Sequence, residues 1–350
     1  MSRDVAECGV GERATTGGVR EEPTEIPRQW IGSTVAFLAS VAALLFAYQA
    51  IAWAGYIADG PRISVNRDNA DFYWWAARVV ESIVVLSIVG WSWYVLRERR
   101  HTGRLGTDGL LMLGMFGAAF WDPIYNWLVP AWQYSTNLVT LNDWFAHAPG
   151  IVNPDAGTMQ WSVVMVLVGY PLWGVGFGAI IDIAMRKARH RFPQAAGGAV
   201  LAAGLAIGVA LTAISFSLFK ALGLMQAPGF DLGMPGGELI PMALSGGIVF
   251  WGIGLIRHYR DRDGRSIVEL PQSAWMRFLT SAGLCQLLVV VGWGFLTVPL
   301  SLHSEPYPSN LPSHLIEHYC DPPGTPNDTA YGECPGSPGF KLPIMGVSSP

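Results

Sequence analysis

Residues 196–224 read AGGAVLAAGLAIGVALTAISFSLFKALGL, and their only charged group is Lys220, near the far end. A bilayer-spanning helix needs about 20 mostly apolar residues, and this stretch exceeds that. Six further stretches of the same kind lie at about 31–57, 72–96, 109–133, 159–184, 237–256 and 273–302. The composition of the 350 residues agrees, with 51% hydrophobic and only 14% charged. Soluble proteins carry roughly 25% charged residues. A mean hydropathy of +0.32 and 15 Trp point the same way. An ordinary soluble enzyme and a disordered chain are therefore excluded. A net charge of −4 gives no sign of a nucleic-acid partner, and four cysteines cannot make a disulfide-dense scaffold. The expected fold class is an all-α polytopic membrane protein, a bundle of about seven transmembrane helices.

Basic residues orient the bundle. Arg97, Arg99, Arg100 and Arg104 fall in one connection, Arg186, Lys187, Arg189 and Arg191 in another, and Arg257, Arg260, Arg262 and Arg265 in a third. Arg3, Arg13, Arg20 and Arg28 precede the first span. The alternate connections and the tail hold only Arg62, Arg67 and Lys341. The positive-inside bias puts the N-terminus inside and the C-terminus outside, which agrees with an odd number of spans. The expected organisation is a disordered cytoplasmic leader over 1–28, a seven-helix membrane domain over 29–302, and a Pro/Gly-rich extracytoplasmic tail over 303–350. Cys320 and Cys334, on the oxidising side, are candidates for a disulfide.

Ionisable groups inside spans are expensive and are functional candidates by default. The second span carries Asp71, Arg78 and Glu81, which share one helical face. Arg78 and Glu81 form an i,i+3 pair, which reads equally well as an interhelical charge clamp. The third span carries Asp122-Pro123, with Asn126 one turn on. Proline there leaves the Ala119 carbonyl free and kinks the helix beside a buried carboxylate. The next outer loop holds Asp143 and His147, whose bland reading is a solvated loop; Asp182 reads as a solvated helix end. Trp74 and Trp121 sit beside the carboxylates, where an interfacial belt explains less of their placement. An aromatic-lined cavity with a few convergent polar groups is the usual form of a small-molecule site. Gly204 with Gly208, and Gly174 with Gly178, have the spacing for close helix packing.

The tail string His314-Leu315-Ile316-Glu317-His318 matches an inverted zinc-peptidase pattern, but no enzyme domain surrounds it, and no metal is expected. A retinal protein would need a lysine in its last span, and the only lysines are Lys187, Lys220 and Lys341.

Three strings, Asn66-Arg67-Asp68-Asn69-Ala70-Asp71-Phe72-Tyr73-Trp74-Trp75, Phe120-Trp121-Asp122-Pro123 and Asn142 to Gly150, resemble the AveC spirocyclase family. Residues from about Gln29 to Leu302 fit that family's organisation. The resemblance implies an enzyme of the bacterial cell membrane that closes the spiroketal of an avermectin-like polyketide macrolactone. Some members also dehydrate a neighbouring alcohol. The partners it implies are a hydrophobic polyketide macrolactone and the lipid bilayer.

That chemistry suits the residues. A dihydroxy-ketone closes to a hemiketal, loses water to an oxocarbenium ion, and is captured by the second hydroxyl. A general acid and a cation-stabilising carboxylate suffice, and no cofactor is expected. A carboxyl held in apolar surroundings can remain an acid near neutral pH. Asp122 and Glu81 are the candidate catalytic pair. Arg78 would orient Glu81, while Asp71, Asn126, Asp143 and His147 would position substrate oxygens, and aromatic faces such as those of Trp74 and Trp121 would stabilise the cation. The polar groups cluster toward the outside although polyketides are made in the cytosol, so a lipid-soluble substrate would reach them from the bilayer. The rival expectation is a transporter or carrier that binds a hydrophobic metabolite unchanged.

Overall fold

The computed structural model describes residues 28–64, 71–128, 133–150, 160–227, 237–301 and 313–315. The expected leader (with Cys8), Cys320, Cys334, Glu317 and His318 lie outside these residues. Among these residues, eight α-helices follow in chain order: α1 Arg28–Asp59, α2 Phe72–Thr102, α3 Thr107–Ala118, α4 Trp121–Leu128, α5 Gly169–Arg191, α6 Gly197–Ala221, α7 Leu239–His258 and α8 Ala274–Ser301. A π-helical turn, Val164–Val168, leads into α5. Among the described residues, six helices are long and apolar enough to cross a membrane: α1, α2, α5 with its π-turn, α6, α7 and α8. The chain is a helical membrane protein.

The stretch expected as a third span, 109–133, is not one helix. It breaks after the 12-residue α3 and restarts as the 8-residue α4. Pro123 has no N–H, and its ring would clash with the carbonyl four residues back. The Asp122 amide bonds the Ala119 carbonyl instead, at 3.2 Å. Pro123 thereby falls in the first turn of a new helix, where its missing donor costs nothing. Side chains take up the carbonyls that the break exposes. Gln49 Nε2 donates to Gly117 O at 3.2 Å, and Trp144 Nε1 donates to Phe120 O at 3.1 Å. The expected kink is thus a full interruption.

The all-α expectation needs a second correction. Strands β1 Ile63–Ser64, β3 Thr140–Asn142 and β4 Gln160–Ser162 form an antiparallel sheet in the order β1-β3-β4. Strand β2 Gln133–Tyr134 pairs with β5 Met225–Gln226. Buried backbone groups in these connections must find partners, and short ladders supply them. Both sheets lie at the end of the bundle opposite the Arg-rich connections.

Close helix approach follows the glycine spacing. A Cβ on Gly208 of α6 would stand 2.7 Å from the Gly247 carbonyl of α7, and one on Gly178 of α5 would stand 3.3 Å from the Gly254 amide. At the Arg-rich end, Asp182 is fully buried, not solvated. It receives Arg186 and lies 3.3 Å from His258 Nδ1, while Arg257 bridges it to Asp108. A carboxylate there is held by a charge network that sequence position alone does not reveal.

Candidate functional site

Asp122 stands in the first turn of α4 with no solvent exposure. Tyr134 of β2 donates its hydroxyl to the carboxylate at 3.0 Å (Oδ1) and 3.2 Å (Oδ2). Tyr170, in the first turn of α5, reaches Oδ1 at 2.9 Å. Two phenols from separate elements thus converge on one buried carboxyl. Hydrogen bonds from two directions fix the carboxyl in place.

Tyr134 and Tyr170 both line a half-open cleft bounded by α3, α5, α6, α7, α8, β2 and β5. Its aromatic wall comprises Trp173, Phe177, Phe216, Phe219, Phe250 and Trp293, and Met115, Met225 and Met242 fill the gaps. Thr212 and Ser215 also face it. Their hydroxyls return to their own helix, however, at Gly208 O (2.9 Å) and Leu211 O (2.8 Å). The polar character of the cleft is therefore concentrated at the two phenols and the carboxyl behind them. An apolar, aromatic cleft with one polar focus is a typical form of small-molecule site.

The other expected site residues fall elsewhere. Glu81, 6% exposed, pairs with Arg78 at 2.8 Å and accepts the Val139 amide at 2.8 Å. Arg78 also donates to the Asn137 carbonyl and lies over the Trp74 ring, 5.6 Å from its centre. Glu81 does not line the cleft. Asp71 caps α2, accepting the Trp74 amide at 2.9 Å. Trp121 stacks on Tyr48 and donates to Gln286 Oε1 at 3.0 Å. Asp143 is fully buried, not solvated, and accepts the Phe145 amide at 2.7 Å. His147 Nε2 lies 3.3 Å from Asp59 at the end of α1. Asn126 belongs to α4, but its side chain lies outside the described residues. Among the described residues, no group of three or more His, Cys, Asp and Glu side chains could hold a metal ion.

Tyr134 and Tyr170 were missed because attention to ionisable groups passes over phenols. The available signal was a tyrosine at the start of an apolar helix and another just past the end of the Asp122 span.

A family model described as Spirocyclase AveC-like matches residues 98–302. The chain belongs to the AveC-like spirocyclase family. No curated protein and no solved structure gives a significant match. The AveC-like region contains Asp122, Tyr134, Tyr170 and every residue that lines the cleft, whereas Asp71, Trp74, Arg78 and Glu81 precede it. Family membership points to a spirocyclase role.

Tail residue His314 touches the same end of the molecule. Its ring stacks on Tyr73 at 4.8 Å, and its carbonyl accepts the Thr136 amide at 2.7 Å. Burial pushes this imidazole below its ordinary value, against the opposing pull of the Asp71 charge.

Proposed function

We propose that this protein forms the spiroketal of an avermectin-like polyketide macrolide from a dihydroxy-ketone, with control of stereochemistry, in the cell membrane of a bacterium. The observation that carries this reading is the buried Asp122 carboxyl, bonded by two phenols that face an otherwise apolar, aromatic cleft.

The reaction begins when one substrate hydroxyl adds to the ketone and forms a hemiketal. With a proton on Asp122, its bond to one phenol reverses, and that phenol's O–H turns toward the cleft. The phenol donates its proton to the departing hemiketal hydroxyl and regains one from Asp122. Water leaves as the C–O bond breaks. The Asp122 carboxylate then lies behind the phenols, where it stabilises the oxocarbenium ion, and the aromatic wall adds cation–π attraction. The second hydroxyl attacks the cation, and its proton returns through the phenol to Asp122. Net, one water is lost and the acid is regenerated. A wall that fixes the chain on both sides of the cation leaves one face open, which is how stereochemistry is set.

The test incubates purified protein with an uncyclised dihydroxy-ketone macrolactone and resolves the spiroketal stereoisomers chromatographically. Acid alone closes such compounds to mixtures. One isomer, formed faster than in membranes without the protein, supports the reading, and a product lighter by a further water adds dehydration of a ring alcohol. The uncatalysed mixture together with saturable binding would favour a transporter or carrier instead.

A further inference from the structure

We infer that Arg78 and Glu81 are positioning residues: from α2 they grip the backbone of the turn after Tyr134, fix where that phenol stands against Asp122, and so help decide which spiroketal isomer forms. This rests on the spirocyclase reading above. Strand β2 has two residues and a single partner strand, and so small a ladder does not hold itself. Gln160 of β4 donates to the Tyr134 carbonyl at 2.7 Å, and the rest of the strand's seat comes from what grips the following residues. Ser135 N bonds Leu224 O at 2.9 Å, Thr136 N bonds His314 O, Asn137 O accepts from Arg78, and Val139 N donates to Glu81. Two of these four anchors are charged side chains in the otherwise apolar part of α2, residues 72–96.

Stability alone is a weak reason for that pair. Taking an ion pair out of water costs as much as its attraction returns, and an apolar pair of equal size is often as good. Both groups are committed to the turn. Glu81 Oε2 faces Arg78 Nη2 and Oε1 takes the Val139 amide, while the same Arg78 nitrogen donates to the Asn137 carbonyl and the guanidinium lies over the Trp74 ring. Neither group points into the cleft. What they supply is direction: a bidentate hold on Asn137 and Val139, three and five residues beyond Tyr134. A shift of about 1 Å at a reacting group can cost about 100-fold in rate, so a loosened turn changes chemistry without touching the substrate.

The experiment compares Glu81→Ala, Glu81→Gln and Arg78→Met with the parent on the dihydroxy-ketone macrolactone. It reads the isomer ratio, kcat, KM, the pH profile of kcat, and amide exchange at Val139. Glu81→Ala and Arg78→Met should drift at least threefold toward the acid-catalysed isomer mixture and exchange the Val139 amide faster. Their KM should change little, and their pH profile should match the parent's. Glu81→Gln keeps an acceptor for Val139 and should retain most of the selectivity. An unchanged isomer ratio in the folded Glu81→Ala and Arg78→Met proteins overturns the inference. So does a pH profile abolished in Glu81→Gln, which would make Glu81 the acid itself. If Glu81→Ala does not fold, the other two variants decide by the same readouts. An active Asp122→Asn protein would refute the spirocyclase mechanism instead, whatever the Glu81 variants do.

Discussion

Tyr170 places its hydroxyl 2.9 Å from Asp122 Oδ1, although the two residues lie in helices separated in the chain by the strands β2, β3 and β4 and a π-turn. The carboxyl has no exposure to solvent, and in the proposed mechanism its proton reaches the cleft through a phenol. That relay governs the behaviour expected of variants at this site.

Asp122→Asn removes the proton store but preserves the size of the side chain. General acid catalysis is worth roughly 100- to 10,000-fold, and kcat should fall within that range while thermal unfolding shifts little. A variant with parental kcat and an unchanged isomer ratio would sink the assignment.

Tyr134→Phe and Tyr170→Phe separate the two phenols. Each removes one hydrogen bond to the buried carboxyl, worth about 0.5–1.5 kcal/mol. The phenol that relays the proton should cost far more in kcat than in unfolding temperature. Residues acting as a unit are not additive, so the double variant should be little worse than the more damaging single one. Equal, additive losses of stability with intact kcat would show both phenols to be purely structural.

Gly208→Ala tests the helix packing. The new methyl would stand 2.7 Å from the backbone carbonyl of Gly247, which cannot rotate away. Overpacking of this kind costs about 1–3 kcal/mol, and a lower unfolding temperature in detergent should report it. Stability at or above the parent's would mean that α6 and α7 separate easily.

Asp182→Ala should be among the most destabilising single changes at the Arg-rich end. It leaves Arg186, Arg257 and His258 without the carboxylate they share. Breaking a buried ion pair on one side costs about 3–5 kcal/mol. Because this network is at the opposite end from the cleft, the isomer ratio of the surviving folded protein should match the parent's.

His314 should make the docking of its segment pH-dependent. Its folded-state value is depressed below the ordinary histidine value of about 6.5, so the undocked state binds the proton more readily. Docking is then fully present above about pH 6.5 and weakens as pH falls toward the depressed value. Exchange of the Thr136 amide, which donates to the His314 carbonyl, should speed up over that window beyond its intrinsic rate, and His314→Gln should abolish the effect.

Much of this molecule is legible in its sequence. Apolar runs of about 20 residues have one stable solution in lipid, because a helix satisfies its own backbone. The six long helices, the small-residue contact at Gly208 and the burial of Asp122 follow from such local patterns. The string from Phe120 to Pro123 also carried the family resemblance. The split of residues 109–133 was only half legible. Pro123 announces a disturbance, but whether the helix bends or stops depends on partners for the freed carbonyls, and those are Gln49 and Trp144, far away in the chain.

Partner choice was beyond the sequence. Asp71, Arg78 and Glu81 share a helical face, yet one caps a helix and two hold a turn, because what faces them is set by tertiary packing. Tyr134 and Tyr170 become part of a site only when β2 and α5 meet over α4. The sequence by itself determined that the chain carries membrane-spanning helices and where the six long ones run, but not every carboxyl that is buried, since Asp143 and Asp182 read as solvated. Only the tertiary structure decided which groups the Asp122 carboxyl answers to, because hydrogen bonds form between elements that folding brings together and that no local periodicity records.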